Sequence, residues 1–354
     1  MSFLASCSLT RHWLAKSIVR LPVVRLPIAS HIVPPLVTSI AVCIFFGCLV
    51  LESSFAFSSD DSSGSNQRLQ IAVAYTEPSA TAQQFIELVR NKLPDYNVKS
   101  LQLTDTQIQD ADFYITLGKN SLSIVEKQAK TPLLAALISR TSFLEVITEE
   151  AIDKRQKNPI AGIFSDPSPL KQLALIDAIY GQGSYRPTVA FLATPRSRFI
   201  IDDLTHNAAL LNIHFIVELV ENDAELPSKL ASLKSLHNFD TLLLFPDRTL
   251  YNANNIKQLL LSSYRNNKPI IGFSPQLVDA GATATIYYQT EAIANESVII
   301  ISEYFKTQKL PRWNYPKDFD IAINQGVADS LNLPIKNVAT LKQMLVTKQR
   351  GEPR

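Results

Sequence analysis

Residues 69–92, LQIAVAYTEPSATAQQFIELVRNK, contain a complete strand-to-helix unit and decide the fold class. The first seven residues form a nearly continuous apolar run, which is typical of a strand buried on both faces of a parallel sheet. Residues 76–79 (TEPS) follow with a serine and a proline close to a helix start, and residues 79–92 have helical apolar spacing. The stretch therefore predicts a strand, a tight turn and an amphipathic helix, which is the repeating unit of a parallel α/β sheet.

Units of the same kind recur along the chain in two consecutive series. In the first series, the apolar runs that predict further strands lie at residues 98–103, 113–117, 133–138 and 160–164. In the second series they lie at residues 187–192, 213–220, 240–245, 269–273 and 282–288. Segments with helical spacing separate the runs, and a long helix is predicted at residues 290–306. The fold class that follows is α/β, with two doubly wound parallel-sheet lobes.

The order of these units also predicts how the lobes are divided. We expect residues 68–165 together with 308–354 to form lobe 1 and residues 166–307 to form lobe 2, with a tail strand at 319–323 that crosses back to the first lobe. Ligands of open α/β sheets bind beyond the carboxyl ends of the strands. Two lobes that face each other with those ends form an interlobe cleft, which closes on a ligand by hinge motion.

The first 56 residues have the features of a secretory signal. Basic residues between positions 11 and 25 precede an uncharged apolar run at residues 32–51, and residues 54–56 (SFA) form a small-x-small step. Residues 57–67 are polar and rich in serine, which predicts a flexible linker. We therefore expect residues 1–56 to be a signal peptide or membrane anchor of an exported, periplasmic protein.

Three fates of this segment follow from its sequence, and cleavage is the first of them. Cleavage after Ala56 would release a soluble protein. The run at residues 32–51 is near the roughly 20 residues that span a bilayer, so an uncleaved segment would anchor the protein with its basic flank inside. Residues 46–48 (FGC) place a small residue before a cysteine, whose acylation would tether the protein to the membrane. All three fates place the folded part outside the cytoplasm.

Composition and charge exclude several classes of function. The formal net charge is +2, so no basic surface indicates binding of nucleic acid. All three cysteines precede residue 57, which leaves the folded part without a disulfide or a thiolate metal site. The histidines do not have the spacing of zinc ligands. Because the chain also lacks a Gly-x-Ser-x-Gly motif and a complete phosphate-binding loop, we expect neither enzyme activity nor a cofactor.

Four segments carry a family resemblance, in the same order along the chain. They are residues 162–176 (GIFSDPSPLKQLALI), 240–247 (DTLLLFPD), 269–282 (PIIGFSPQLVDAGA) and 323–334 (INQGVADSLNLP). Together they resemble ABC-transporter substrate-binding proteins of the tryptophan/tyrosine-binding type. Two places depart from the family pattern. The first strand-to-helix turn lacks the usual histidine-proline pair, and Asn295 stands near the position of a family glycine.

The resemblance implies a type I periplasmic binding protein fold with three interlobe crossings. It also implies capture of a small organic solute, such as an aromatic amino acid, and delivery to an ABC permease in the inner membrane. A ligand sensor with the same fold, which signals to a different membrane partner, is the alternative. Neighbouring permease and ATPase genes would favour uptake, whereas a neighbouring kinase, cyclase or outer-membrane receptor gene would favour sensing.

Polar and aromatic residues at the predicted strand ends are the candidate ligand contacts. In the first series they are Thr76, Glu77, Lys119, Asn120, Arg140 and Asp166. In the second series they are Thr194, Arg196, Asp247, Ser274 and Tyr288. Residues 118–121 (GKNS) resemble half of a phosphate loop and are interpreted as a cleft loop that could accept an anion. An arginine such as Arg196 could pair with a ligand carboxylate, and Asp166 or Asp247 with a ligand ammonium group.

Each of these candidates also has a purely structural interpretation. Asp166 precedes a predicted helix and could be its N-cap, and Asp247 could stabilise a turn. Arg196 could be a solvated surface residue. Tyr287 and Tyr288 point in opposite directions along a strand, so one of them is expected in the core and the other in the cleft.

Overall fold

Six parallel strands form the first sheet of the protein, in the order β11-β5-β4-β3-β1-β2. A computed structural model describes residues 68–104, 108–148, 151–152, 158–181, 184–236, 238–335 and 337–349. The expected leader at 1–56 and linker at 57–67 lie outside these residues. The strands of the first sheet are β1 (Gln70–Tyr75), β2 (Asn97–Gln102), β3 (Phe113–Leu117), β4 (Leu133–Ile138), β5 (Ile160–Phe164) and β11 (Trp313–Asn314).

A second sheet of six strands has the order β12-β10-β9-β8-β6-β7. Its strands are β6 (Thr188–Ala193), β7 (His214–Leu219), β8 (Thr241–Leu243), β9 (Ile270–Ile271), β10 (Ala284–Tyr287) and β12 (Asp320–Ile323). All pairs are parallel except β10 with β12, which are antiparallel. The predicted α/β class with two lobes is therefore confirmed, and we call the lobe of each sheet lobe 1 and lobe 2.

Helices connect the strands, as the alternating pattern predicts. In chain order they are α1 (Ala80–Lys92), α2 (Gly118–Val125), α3 (Arg140–Leu144), α4 (Pro169–Tyr180), α5 (Ile201–Leu210), α6 (Leu226–Leu236), α7 (Ile256–Arg265), α8 (Pro275–Asp279), α9 (Thr290–Thr307), α10 (Gln325–Ser330) and α11 (Val338–Gln349). The Ser79 hydroxyl caps α1 by accepting a hydrogen bond from the backbone N–H of Ala82 at 3.1 Å. Among the described residues, no helix combines the length and apolar character needed to cross a bilayer.

Three chain crossings join the lobes. The first runs from β5 to α4, which packs on α5, α11 and β10 of lobe 2. The second runs from β10 to α9, which packs on α1, β4 and β5 of lobe 1. The third runs from β11 to β12. Three crossings of this kind agree with the architecture that the family resemblance implies.

The tail and α9 differ from the expected division of the lobes. We expected residues 308–354 in lobe 1, but in that range only the short strand β11 pairs with the first sheet, whereas β12 pairs with β10 and α11 packs on α4 and β12 of lobe 2. Helix α9, expected in lobe 2, belongs with lobe 1. The physical reason is its aromatic face, where the Tyr304 ring lies 5.4 Å from that of Phe113 on β3.

Candidate ligand-binding cleft

The carboxyl ends of the parallel strands in both sheets bring most of the candidate residues to the junction of the lobes. Arg140 follows β4, Asp166 follows β5, Thr194 follows β6, and Asp247 follows β8 after a short extension. Because parallel strands place their carboxyl ends at one edge of a sheet, residues far apart in sequence become neighbours there.

Helix α3 extends from this edge of lobe 1 toward lobe 2. The ladder between β4 and β5 is irregular between Ala135 and Ile138, and Leu137 has a positive φ of 50°. A bulge of this kind redirects the chain, and a left-handed conformation at a branched residue costs about 1–2 kcal/mol. The Ser139 hydroxyl then caps α3 by accepting from the backbone N–H of Ser142 at 3.2 Å. The strained strand end thus sets the direction of α3.

Three residues of α3 and its C-terminal end contact lobe 2. The hydroxyl of Thr141 donates to the carbonyl oxygen of Pro246 at 3.2 Å. The Arg140 guanidinium pairs with the Asp203 carboxylate on α5. The Glu145 carboxylate accepts from Arg196, which follows β6. These three contacts with lobe 2 all come from one short segment of lobe 1, residues 140–145.

Arg140 is buried where the two lobes meet. Its guanidinium lies between two aromatic rings, 5.2 Å from the Phe199 centroid and 4.6 Å from the Trp313 centroid. The residue is 3 % exposed, whereas the side chain of its partner Asp203 is 45 % exposed. Arg140 therefore packs between the lobes, and the charge that faces water is that of Asp203.

Asp166 lies in the first crossing and does not cap the following helix. The N-cap of α4 is Ser168, whose hydroxyl accepts from the backbone N–H of Lys171 at 3.2 Å, so the N-cap interpretation of Asp166 is wrong. One carboxylate oxygen of Asp166 instead accepts from the backbone N–H of Arg140 at 2.8 Å. Burial raises the pKa of Asp166 to about 7, although that backbone N–H acts in the opposite direction. Its second oxygen has no partner among the described residues.

Tyr288 lies in the second crossing and packs in the core. Its hydroxyl oxygen accepts from the backbone N–H of Ser168 at 3.3 Å, and the residue is 8 % exposed. Burial raises its pKa, so the phenol is neutral. Of the two orientations expected for the tyrosine pair, the structure gives Tyr288 the buried one and leaves Tyr287 partly exposed.

A cavity of about 230 Å³ lies between the lobes, and we call it the cleft cavity. Lobe 1 contributes Ser139, Thr141, Ser142 and Glu145. Lobe 2 contributes Arg196, Pro246, Asp247, Arg248, Tyr251 and Phe273. Two of the predicted contacts, Arg196 and Asp247, thus line the cavity. Sequence reasoning missed Glu145, for which no local signal exists, and Arg248, which directly follows a candidate aspartate.

Glu145 connects three elements at the margin of the cleft cavity. One of its oxygens accepts from Arg196 of lobe 2 and the other from Lys119 on α2. The segment that we expected to be a loop around Lys119 is the first turn of α2, with Gly118 at a φ of 82°. Its neighbour Asn120 is exposed. Lys119 therefore acts in this structure as a partner of Glu145.

Asp247 is buried and satisfies groups of its own lobe. One oxygen accepts from the Thr194 hydroxyl, and the other accepts from the backbone N–H of Thr249 at 2.9 Å. This is the turn-stabilising arrangement that the sequence left open as an alternative. Thr194, another predicted contact, is 1 % exposed. Asp247 therefore lies at the wall of the cavity with both oxygens already accepting hydrogen bonds, while Thr194 lies behind the lining residues.

The remaining candidates lie at strand ends but outside the cleft cavity. Thr76 is half-buried and Glu77 is exposed after β1. Ser274 is the half-buried N-cap residue of α8, without a capping hydrogen bond from its side chain. None of the three lines the cleft cavity. Within the described residues, no cluster of histidine, cysteine, aspartate and glutamate could hold a metal ion.

A larger cavity of about 410 Å³ lies on the outer face of lobe 2, and we call it the outer cavity. It is located between α6 and α7, away from the strand ends that form the cleft. Its floor is apolar and includes Leu230, Phe239, Leu242 and Leu259. No predicted ligand contact lines the outer cavity, which makes it a suitable control site for the cleft cavity.

Comparison with solved structures identifies proteins with the same fold. An ABC domain in complex with L-Trp from Streptococcus pneumoniae has 15% sequence identity and a TM-score of 0.50, covering 77% of this chain and 98% of that chain. The ligand-free, open structure of a substrate-binding protein with adhesive properties from Clostridium difficile has 14% identity and a TM-score of 0.56, covering 76% and 96%. No family model and no curated protein matches the sequence. The two-lobed fold implied by the sequence resemblance is confirmed.

Proposed function

We propose that this protein binds a small organic solute in the cleft cavity and delivers it to an ABC permease. The observation that carries the proposal is the position of the cavity, which is lined by strand ends of both lobes and bordered by contacts from α3. A ligand in such a position touches both lobes and therefore favours the closed arrangement over the open one.

The two structural relatives support this proposal through their fold. One of them is described with bound L-Trp, and the other as a substrate-binding protein in an open, ligand-free form. Export to the periplasm, no enzyme activity, a permease partner and an aromatic amino acid as solute belong to the same proposal. They rest on the leader sequence and on the resemblance of the four segments.

A thermal-shift screen with amino acids, sugars, organic acids and polyols tests the proposal. A specific solute should raise the melting temperature in proportion to the logarithm of its concentration above Kd. The matched variants are Ser142→Phe, which fills the cleft cavity, and Ser262→Phe, which enters the outer cavity. We expect the shift to disappear in the first variant and to persist in the second. The opposite result would assign the solute to the outer cavity and refute the cleft proposal.

A further inference from the structure

Most hydrogen-bond acceptors of the cleft cavity already have a donor within the protein, whereas several donors do not have an acceptor among the described residues. Both carboxylates of the cavity wall already have partners on each oxygen. Glu145 accepts from Lys119 and Arg196, and Asp247 accepts from Thr194 and Thr249. The Pro246 carbonyl oxygen accepts from a threonine hydroxyl of lobe 1. A ligand ammonium group entering this cavity would therefore have to share an acceptor oxygen with one of these existing donors, two of which, Lys119 and Arg196, are themselves cations.

Donors, in contrast, remain available at the same wall. Arg248 lines the cavity, is exposed, and has no hydrogen bond or ion pair within the part of the chain that the structure describes. Tyr251 also lines the cavity, and its buried hydroxyl makes no hydrogen bond with any described residue. The Ser142 oxygen accepts from Ser139 at 3.0 Å, which leaves its own proton free to donate.

The charges of these groups also favour an anionic ligand. Arg196 is paired with Glu145, so Arg248 is the cation of the cavity wall without a counter-ion among the described residues. An arginine fork binds a carboxylate through two parallel hydrogen bonds, which are stronger than bonds between neutral groups. The hydroxyl of Ser142 can add a further donor to a carboxylate or to another acceptor of the same molecule.

We propose that the solute of the cleft cavity is a small carboxylic acid without an ammonium group, and that Arg248 binds its carboxylate. This inference rests on the proposed function, because it assigns the chemical class of the solute at the same site. It changes the role considered for Arg196, which the sequence offered either as a carboxylate ligand or as a solvated surface residue and which the structure pairs with Glu145.

Calorimetric titration of the full-length protein with matched probes tests this inference. Each set contains a carboxylate, its neutral amide and its α-amino acid. Two such sets are butyrate, butyramide and 2-aminobutyrate, and 3-phenylpropionate, 3-phenylpropionamide and phenylalanine. We expect at least one carboxylate to bind at least tenfold more tightly than both of its analogues. Binding of that carboxylate should weaken as the salt concentration rises.

Substitution of Arg248 provides the second arm of the test. Arg248→Gln should weaken carboxylate binding at least tenfold, and Arg248→Lys should weaken it less, because lysine keeps the charge but loses the fork. Arg265→Gln on α7 removes an equal charge from an exposed position outside the cavity and should leave binding unchanged. Because Arg248 is exposed, we expect all three variants to keep the melting temperature of the wild type.

Failure of this inference can be distinguished from failure of the proposed function. If an α-amino acid binds as tightly as its carboxylate, or if Arg248→Gln has no effect, the solute class is wrong and cleft binding stands. If an amide or a sugar binds and no carboxylate does, the conclusion is the same. If no solute of any class binds, both proposals fall.

Discussion

The two lobes are held together in two places that differ in almost every physical respect. At the crossings, Asp166, Lys171, Tyr288 and the buried hydroxyl of Tyr315 form a polar group that we call the hinge cluster. At the cleft margin, the contacts of α3 and Glu145 involve partly exposed charges, such as Glu145, whose side chain is 24 % exposed. Buried charges need complete partners, whereas exposed pairs contribute little to stability. We therefore expect the hinge cluster to determine stability and the cleft margin to determine closure.

Lys171 shows how completely the hinge cluster connects the crossings. This lysine, at the start of α4, is 6 % exposed and donates to the carbonyl oxygen of Pro316 in the third crossing at 2.6 Å. Its ammonium group lies 5.1 Å from the Tyr288 ring in the second crossing and 5.3 Å from the Phe319 ring in the third. One side chain from the end of the first crossing thus contacts both of the others.

The largest expected effect is the pH dependence of stability contributed by Asp166. Its pKa is raised from 3.8 to about 7 in the folded protein, mainly by burial, with Arg140, Tyr288 and Tyr315 as neighbouring titratable groups. Because the folded state holds this proton more tightly than the unfolded state, the stabilising contribution is complete below the unfolded pKa. It is lost as the pH rises through about 7.

Asp166→Asn measures this contribution. The upper limit of the loss in the wild type is on the order of 4 kcal/mol between pH 4 and pH 8, and the neutral asparagine should lack it. Urea unfolding of both proteins across this range gives the difference, from which the other titrating groups largely cancel. Parallel profiles for the wild type and the variant would contradict the assignment to Asp166.

The second effect concerns Lys171 and compares a buried lysine with an exposed lysine of the same charge. Lys171→Met keeps most of the volume but removes the donor to Pro316, which should lower the free energy of unfolding by about 2 kcal/mol. Lys317→Met is the matched control, because Lys317 lies in the third crossing with a side chain that is 79 % exposed. Urea unfolding should show a loss in the first variant alone. Equal stabilities of the two variants would contradict the claim that the buried lysine of the hinge cluster contributes more to stability than an exposed one.

The third effect tests Arg140, which belongs to both regions. Arg140→Met should lower the free energy of unfolding by about 1–2 kcal/mol, since the lost ion pair leaves Asp203 in water and not in the core. A double-mutant cycle with Asp203→Asn measures the coupling within the pair. A coupling energy near zero would mean that Arg140 stabilises the protein through its contacts with Phe199 and Trp313 and not through the ion pair.

The smallest effect on stability is expected for Glu145. Glu145→Gln weakens the pairing with Lys119 and Arg196, and because both partners are partly exposed the loss should stay below about 1 kcal/mol. Small-angle scattering should nevertheless show a larger radius of gyration, because the cleft loses a contact that favours closure. Glu87→Gln on the exposed surface of α1 is the control. An unchanged radius in both variants would refute the role of Glu145 in closure.

The sequence predicted those features that depend on local patterns. Ser79 ends a strand-to-helix turn with its capping hydroxyl in place, and the buried strands β3 and β5 read as continuous apolar runs. The two-residue strand β11 was not predicted, because two residues carry no periodicity. Tail strand β12 was predicted as a strand but assigned to the wrong lobe, since its partner β10 is set by the third crossing.

Prediction of the site was also limited to features that depend on local patterns. Residues such as Arg196 and Asp247 could be predicted because the apolar runs in the sequence show where the strands end. Whether a charge is free for a ligand depends on its neighbours in space, and these come from the other lobe. Glu145 pairs with Arg196, which lies 51 positions away in the sequence. Because of this pairing, Arg248 is a better candidate than Arg196 for binding a ligand carboxylate.

The irregular end of β4 has a consequence for how such a cleft can change over evolutionary time. Leu137 occupies a left-handed conformation that glycine or asparagine adopts at lower cost. Insertion or deletion of one residue at such a bulge would rotate α3 relative to the sheet while leaving the strands in register. The wall of the cleft could then be moved as a unit without exchange of any residue that lines it. Length variation at this point would therefore alter solute size while the contacts of Lys171 with the second and third crossings stay in place.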